Sequence, residues 1–382
     1  MNIRVIEDVQ EFLALRAEWN RLLSRSSGNT IFLTWEWLSS WWESYAGTDD
    51  VLQIIVIRER TGELIGILPL YRRVQPWLPF TRIKTLRFIG DGSWDSDYLD
   101  AILIEGREEE ILASVWMWLC SQRSWDLLQL TGIPETSSTC RWIKRTTEEP
   151  EFVSCAEVSP CLVTDLPESW DEYLSSLKPR FRTKLRSTLR DITTRYTVRF
   201  GAVETETDIR TGLQTLFELH GKRWNGRGAE GVFRNPAKRR FYERFTPLFL
   251  ERDWLAFDFL ELNGRAVACQ ICFRYHGTQF LLQEGFDPEF ASESVGIALR
   301  AMVLKKAIEQ GVRHYDFLAG VGRHKTQWQT RMKHCHTISF GPRTIQNTLY
   351  LRVPILMDAL RERVKMLLPA KVLEMRRRLA AS

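Results

Sequence analysis

The order of elements legible between Trp254 and Trp328 constrains this chain more than any other feature. Residues 254–262 read as a strand, Asn263-Gly264 is a preferred dipeptide for a tight hairpin, and residues 265–275 read as the partner strand. After His276-Gly277, residues 278–286 read as a third strand, and Asp287-Pro288 opens a loop. Residues 294–310 have the length and pattern of a helix, with Gly311 placed to end it. An apolar strand then runs into Asp316-Phe317-Leu318-Ala319-Gly320. Such an order predicts a mainly antiparallel sheet that gains one parallel pair at the helix crossover.

The same order recurs earlier. Residues 51–58 and 64–71 read as strands around Thr61-Gly62, residues 72–81 as a loop, and residues 85–89 as a strand. Gly90-Asp91-Gly92-Ser93 is a turn, residues 98–104 a strand, 108–122 a helix and 125–130 a closing strand. An echo at about 190 residues is far longer than the ~20–50 of a solenoid, so it implies a duplicated α/β unit. The join is expected in the polar stretch 146–160. Ahead of the first copy, residues 9–23 carry apolar side chains at helical spacing, and 34–45 form a second helix with Thr34 as N-cap.

With 382 residues, 44% of them hydrophobic and 26% charged, the chain has room for two domains and a sizeable core. Several of its fifteen tryptophans crowd into Trp35-Glu36-Trp37-Leu38-Ser39-Ser40-Trp41-Trp42, which reads as an aromatic core helix rather than a sugar platform. The net charge of +5 is well mixed and does not by itself imply nucleic acid. Seven cysteines, an odd number at irregular spacing, argue against a secreted disulfide framework. Cys269 and Cys272 have a metal-type spacing, but they fall in an apolar strand where residues three apart face opposite sides, so they read as buried thiols. No apolar signal core opens the chain and no run of roughly 18 apolar residues occurs, which makes the cytosol the expected location.

Several segments could carry chemistry. At Glu293-Ser294-Val295-Gly296-Ile297 a helix start offers free N–H groups and a positive dipole end, with Gly296 admitting close approach of a pyrophosphate. An ordinary Ser cap with an incidental glycine explains the same residues equally well. Residues 178–199 hold eight basic side chains and one acid over an apolar stripe of Leu177, Phe181, Leu185, Leu189 and Ile192. A solvated face, an anion site, and a nucleic-acid or membrane surface compete for that basic helix, and the one-sided charge favours anion binding. His220 ends a helix that Asn225-Gly226-Arg227-Gly228 breaks; it is either a general base or structural. Asp316 ends an apolar strand and is either an anchor or a poised acid. Glu284 alternates with Gln283, so one of the two should face the same cleft as Gly296. Lys325 and Trp328 follow in the next loop. Residues 348–381 read as a basic helical extension split at Pro369, with Arg361, Arg363, Lys365, Lys371 and Arg376-Arg377-Arg378; packing on the body is favoured over peripheral attachment to an anionic membrane.

Taken in order, Leu177-Lys178-Pro179-Arg180-Phe181-Arg182-Thr183-Lys184-Leu185-Arg186, Leu219-His220-Gly221-Lys222-Arg223-Trp224, Glu284-Gly285-Phe286-Asp287-Pro288, Ser294-Val295-Gly296 and Tyr315-Asp316-Phe317-Leu318-Ala319-Gly320, with Lys325 and Trp328, resemble the CelD/BcsL-type acetyltransferases. These are akin to the FemAB-like double-GNAT proteins. Gly90 and Asp97-Tyr98-Leu99-Asp100 add to the likeness. The resemblance implies an α/β (α+β) fold of two tandem GNAT-like domains, each a mixed, mostly antiparallel sheet flanked by helices. We place the first at 1–155, the second, acyl-CoA-binding, at 156–345, and the basic helical extension at 346–382. It implies an N- or O-acyltransferase using acetyl-CoA or another acyl-CoA, without metal, on a small-molecule or saccharide acceptor in polysaccharide or cell-envelope synthesis. Association with a membrane surface or a biosynthetic complex is compatible with that setting.

Under this reading Ser294, Val295, Gly296 and Lys325 hold the cofactor. Arg223, Trp224 and Trp328 contact the acceptor, and His220, Glu284 and Asp316 are candidates for the base. Similar proteins carry an acid and a tyrosine after the strand-end glycine, where this chain has Gly322 and His324. The first copy starts its helix with Glu108-Glu109-Glu110, which would repel a phosphate, so the cofactor is expected in the second copy alone. Two other readings stay open: a FemAB-like transferase using aminoacyl-tRNA on a cell-wall precursor, and a non-catalytic GNAT-like scaffold.

Overall fold

Two β-sheets organise the computed structural model, which describes residues 1–79, 81–122, 124–225 and 231–367. Strand β1 (Asn2–Ile6) and helices α1 (Val9–Ala14), α2 (Arg16–Leu23) and α3 (Trp35–Tyr45) open the chain. Strands β2 (Asp50–Leu52), β3 (Ile54–Arg58), β4 (Leu64–Leu68), β5 (Leu70–Pro76), β6 (Arg82–Phe88) and β7 (Ile102–Leu103) follow. Helix α4 (Glu108–Ser121), β8 (Leu127–Pro134), α5 (Ser138–Glu148) and β9 (Phe152–Asp165) complete the first half. The second half begins with α6 (Trp170–Ser176), α7 (Pro179–Arg195), β10 (Val198–Ala202), α8 (Glu206–Asn225) and α9 (Pro236–Glu251). It continues through β11 (Leu255–Leu262), β12 (Arg265–Tyr275), β13 (Thr278–Phe286), α10 (Val295–Glu309), β14 (His314–Ala319), α11 (Arg323–Thr326), β15 (Arg331–Pro342) and α12 (Ile345–Leu367).

The duplication is visible in the ladders. In each half an antiparallel meander ends in a strand that pairs in parallel with the strand after a crossover helix. The pairs are β6 with β8, at Thr85↔Leu127 to Arg87↔Gln129, and β13 with β14, at Thr278↔His314 to Phe280↔Asp316. The eleven-stranded sheet has the order β10-β11-β12-β13-β14-β9-β15-β8-β6-β5-β2, so the last strand of each half lies against the other half. Strand β9 pairs with β14, β15 pairs with β8, and β9 and β15 pair with each other from Arg331↔Val163 to Pro342↔Phe152.

Several local expectations change here. The first-half strands divide at Gln53 and Pro69 between the large sheet and a four-stranded sheet β1-β3-β4-β7. Pro69 has no N–H to give a ladder, so the strand turns there. Residues 72–76, expected in a loop, continue β5 and pair with β6. Of the strand expected at 98–104 only Ile102 and Leu103 are regular. The polar stretch 146–160 is the end of α5 and most of β9. The break expected at Gly226-Arg227-Gly228, and the extension's Pro369, Lys371 and Arg376 to Arg378, lie outside the described residues.

Thr34 caps α3 by accepting the Trp37 N–H, and that helix buries Trp37, Trp41 and Trp42. Trp37 packs against Phe241, Phe245, Phe249 and Phe273 of the second half, an aromatic seam between the halves. Cys269 and Cys272 are both buried and belong to the cores on opposite faces of the sheet.

Candidate functional site

Beyond Phe280↔Asp316 the register of β13 and β14 ends and the strands part. Leu318 takes a left-handed conformation, φ 58, which few large residues adopt without support. The support is at hand. Lys325 Nζ donates to the carbonyls of Phe317 and Ala319 at 2.7 and 2.6 Å, and the Ala319 N–H donates to Asp97 Oδ2 at 2.9 Å. A cleft of ≈530 Å³ opens at this divergence, walled by Leu281 to Glu284, Phe317 to Ala319, Arg223, Arg300 and the segment 94–97 from the first half. It extends to Arg87, Thr131 and Gly132, where β6 and β8 part in the same way.

In this cleft two guanidiniums share one carboxylate. Glu284 accepts from Arg223 at 3.3 Å and also pairs with Arg300. Burial alone would raise its pKa, but the two guanidiniums outweigh burial and hold it below the usual range. Arg300 also donates to the His324 carbonyl at 2.9 Å and lies over the Phe317 ring. Asp97 differs: burial pushes its carboxyl up, and the Ala319 N–H and the charge of Lys325 only partly offset it. Burial also lowers Lys325, which is spent on carbonyl oxygens.

A second cleft, ≈930 Å³, lies across segment 97–100, whose successive residues line one cleft and then the other. Its wall holds Tyr98, whose hydroxyl donates to Asp316 Oδ2 at 2.8 Å. Burial raises Asp316 to about 6, against the opposing Tyr98 hydroxyl and Leu318 N–H. Asp100, in the same wall, is likewise pushed up to about 6 by burial.

The structure thus separates the residues nominated from sequence. Arg223, Glu284 and Lys325 meet in the smaller cleft. Asp316 faces the larger one. His220 lines neither. It is buried, its Nε2 accepts from Trp224 Nε1 at 3.0 Å, and its Nδ1 has no hydrogen-bond partner. Burial, then the charges of Arg223 and Lys238, lower His220 to about 4, so it is neutral near pH 7. Trp328 is fully buried against Phe181, and its carbonyl accepts from Thr164 and Tyr173.

Ser294 precedes α10 in a left-handed conformation, φ 54, and its side chain makes no cap hydrogen bond. Val295 is buried, and a Cβ at Gly296 would meet only Phe286 at an ordinary 3.7 Å. The basic helix α7 packs on α10 and buries Phe181, Leu185 and Ile192 as its apolar stripe predicted. Its Arg195 acts on Glu293, beside the α10 start. Sequence reading passed over Asp97, named only within a resembling motif, and Arg300. A lone arginine inside the apolar helix 295–309 was the available signal for the second, since a buried cation needs a partner.

Residues 179–326, from α7 through α11, match the family model described as an acetyltransferase (GNAT) domain. No curated protein matches the sequence. Among solved structures, FemX superposes with a TM-score of 0.59 at 13% identity, covering 88% of this chain and 97% of that one. A conserved protein of unknown function from Bacteroides thetaiotaomicron VPI-5482 gives 0.52 at 13% identity, over 89% of this chain and 100% of that one. The second half therefore matches a GNAT acetyltransferase domain, and the whole chain is a mixed α/β protein whose first half repeats the parallel crossover of the second.

Proposed function

We propose that this chain is an acyl-CoA-dependent N- or O-acyltransferase of the CelD/BcsL type, acting on an acceptor of polysaccharide or cell-envelope synthesis. The observation that carries the reading is the parting of β13 and β14 after three residue pairs, beside a helix start that its own serine does not cap. An extended thioester arm can lie along β13 where β14 has left it, satisfying strand amides. The N–H groups of Val295 and Gly296 face its pyrophosphate, with the basic face of α7 nearby. In this scheme the acceptor occupies the ≈530 Å³ cleft from the first-half side. Asp97 takes the acceptor's proton, because burial raises its carboxyl and makes it a stronger base than a free aspartate. Glu284 is held too acidic for that task and instead fixes Arg223 and Arg300. Titration calorimetry of acetyl-CoA against the wild-type chain and Gly296→Glu tests the donor site. Binding is expected in the first and at least a tenfold loss in the second; equal affinity in both would remove the site.

A further inference from the structure

Trp94 is 96% exposed, whereas Trp19, Trp37, Trp41 and Trp328 are fully buried. It stands in the wall of the ≈530 Å³ cleft, in a left-handed conformation with φ 60 that a large side chain seldom takes. The loop around it is not loose. Lys238 Nζ donates to Ser93 O at 3.2 Å and pairs with Asp95 at 2.7 Å, and the hydroxyls of Tyr45 and Tyr242 donate to Asp95 at 2.9 and 3.2 Å. Trp37 Nε1 donates to Ser96 Oγ at 2.9 Å, and the Ala319 N–H donates to Asp97. Both neighbours of Trp94 are thus fixed by bonds into the second half, while its indole is held out in solvent.

What such a ring meets follows from the rest of the wall. Among the described lining residues each Arg and Lys already has an acceptor: Arg87 has Asp91, Arg223 and Arg300 have Glu284, and Lys325 has backbone carbonyls. Arg223 and Arg300 share one carboxylate and each keeps an unpartnered Nε, but both Nε atoms are buried and so turned away from a phosphate in the cleft, which disfavours a nucleotide. The polar groups left include the hydroxyls of Thr131, Ser159 and Thr337, the Gln283 amide, the His324 imidazole and the carboxylates of Glu157 and Asp97. Hydroxyls, an amide, an imidazole and carboxylates in one wall with an exposed indole suit a ligand with one C–H face and a rim of hydroxyls. We infer that Trp94 is the stacking platform for a pyranose ring, so that the acceptor is a neutral or amino saccharide seated in this cleft. The inference rests on the acyltransferase reading for the word acceptor, but the saccharide site itself does not need a donor.

The test uses the full chain, with cellotetraose and tetrameric chitosan as probes and acetyl-CoA titrated separately. At least one tetrasaccharide is expected to bind by calorimetry. Trp94→Ala should weaken it roughly tenfold and Trp94→Phe less, as loss of an aromatic face would. Melting temperature and acetyl-CoA affinity should not move, since the side chain is exposed. Saccharide binding without acetyl-CoA binding keeps the platform and removes the acyltransferase reading. Acetyl-CoA binding with no tetrasaccharide binding at millimolar concentration, or with binding indifferent to Trp94→Ala, overturns the platform. Trp94-dependent binding of uridine monophosphate or spermidine, in place of the saccharides, overturns the pyranose assignment.

Discussion

At the scale of single residues, the clefts separate carboxylates that sequence alone treats alike. Asp97 is raised by burial while Glu284 is lowered by two guanidiniums, so of the two the first is the better proton acceptor. Asp97→Asn keeps a side-chain oxygen for the Ala319 N–H but cannot take a proton. It should lower acceptor-dependent release of the CoA thiol by roughly 10²–10⁴-fold with acetyl-CoA affinity unchanged. In the wild-type chain the rate should climb with pH as Asp97 ionises, at a midpoint above that of a free aspartate; a flat profile, or a fully active variant, would assign the proton elsewhere. His220 makes a different prediction, about stability. Its pKa is depressed to about 4 in the folded chain, so folding favours the neutral ring. The unfolded chain takes up its proton near 6.5, and the folded one only near 4. Stability is therefore full above about 6.5 and declines as pH falls towards 4. His220→Gln should flatten that decline by on the order of 2 kcal/mol, allowing for partial screening by solvent. The measurement is the difference between wild-type and variant denaturant midpoints across pH. Differencing cancels the opposite slope from Asp100 and Asp316, whose raised values add stability as pH falls through 6.

Secondary-structure elements show why some of this was legible and some was not. The hairpin at Asn263-Gly264 is written in its turn residues, which take φ 51 and φ 78 as such a turn demands. Helix α7 was legible because its apolar stripe and basic face repeat at helical spacing. Strands β9 and β15 were not. Glu157, Val158 and Ser159 lie at or near the surface although β9 is central in the sheet, and β15 opens Arg331-Met332-Lys333-His334. Both present polar side chains to the clefts, so the alternation that marks a half-buried strand is missing where a cleft lies along one face. The candidate site suffered for the same reason: its partition, segment 97–100, belongs to no regular element. Two glycines flanking the β13–α10 turn carry opposite predictions. A Cβ at Gly285 would meet the His220 amide nitrogen at 2.8 Å and Leu219 Cβ at 2.9 Å, so α8 packs on bare strand backbone there. Gly285→Ala should cost about 1–3 kcal/mol of stability. Gly296→Ala meets only ordinary contact inside a helix and should add up to ~1 kcal/mol in the absence of ligand. Chemical denaturation that ranks the two variants the other way would mean that the β13–α8 contact is looser than drawn.

For the whole molecule, the exchange of last strands decides how the halves relate. Taking β9 out of the sheet would bare β14 and β15 along their full lengths, and taking β15 out would bare β8 and β9. Bare edges of that length pair with whatever strand they meet. The aromatic seam of α3 and α9 and the pairs Lys238–Asp95 and Arg252–Glu36 tie the halves a second time; parting them would take from Asp95 its cation, whereas Glu36 would keep Arg16. Duplicated folds often melt as two units because each keeps its own core, but here each half lacks one of its own edge strands. Calorimetric unfolding of the full chain should therefore give one transition whose van't Hoff and calorimetric enthalpies agree. A chain beginning at residue 166, which keeps the whole acetyltransferase match but lacks β9, should be recovered as aggregate or as a loosely packed species with lost near-ultraviolet dichroism. Two resolved transitions, or a monomeric and cooperatively folded 166–382 fragment, would show that the second unit stands without the first. That outcome would also detach Asp97 and Trp94 from the site, since both reach it only because the halves are locked together.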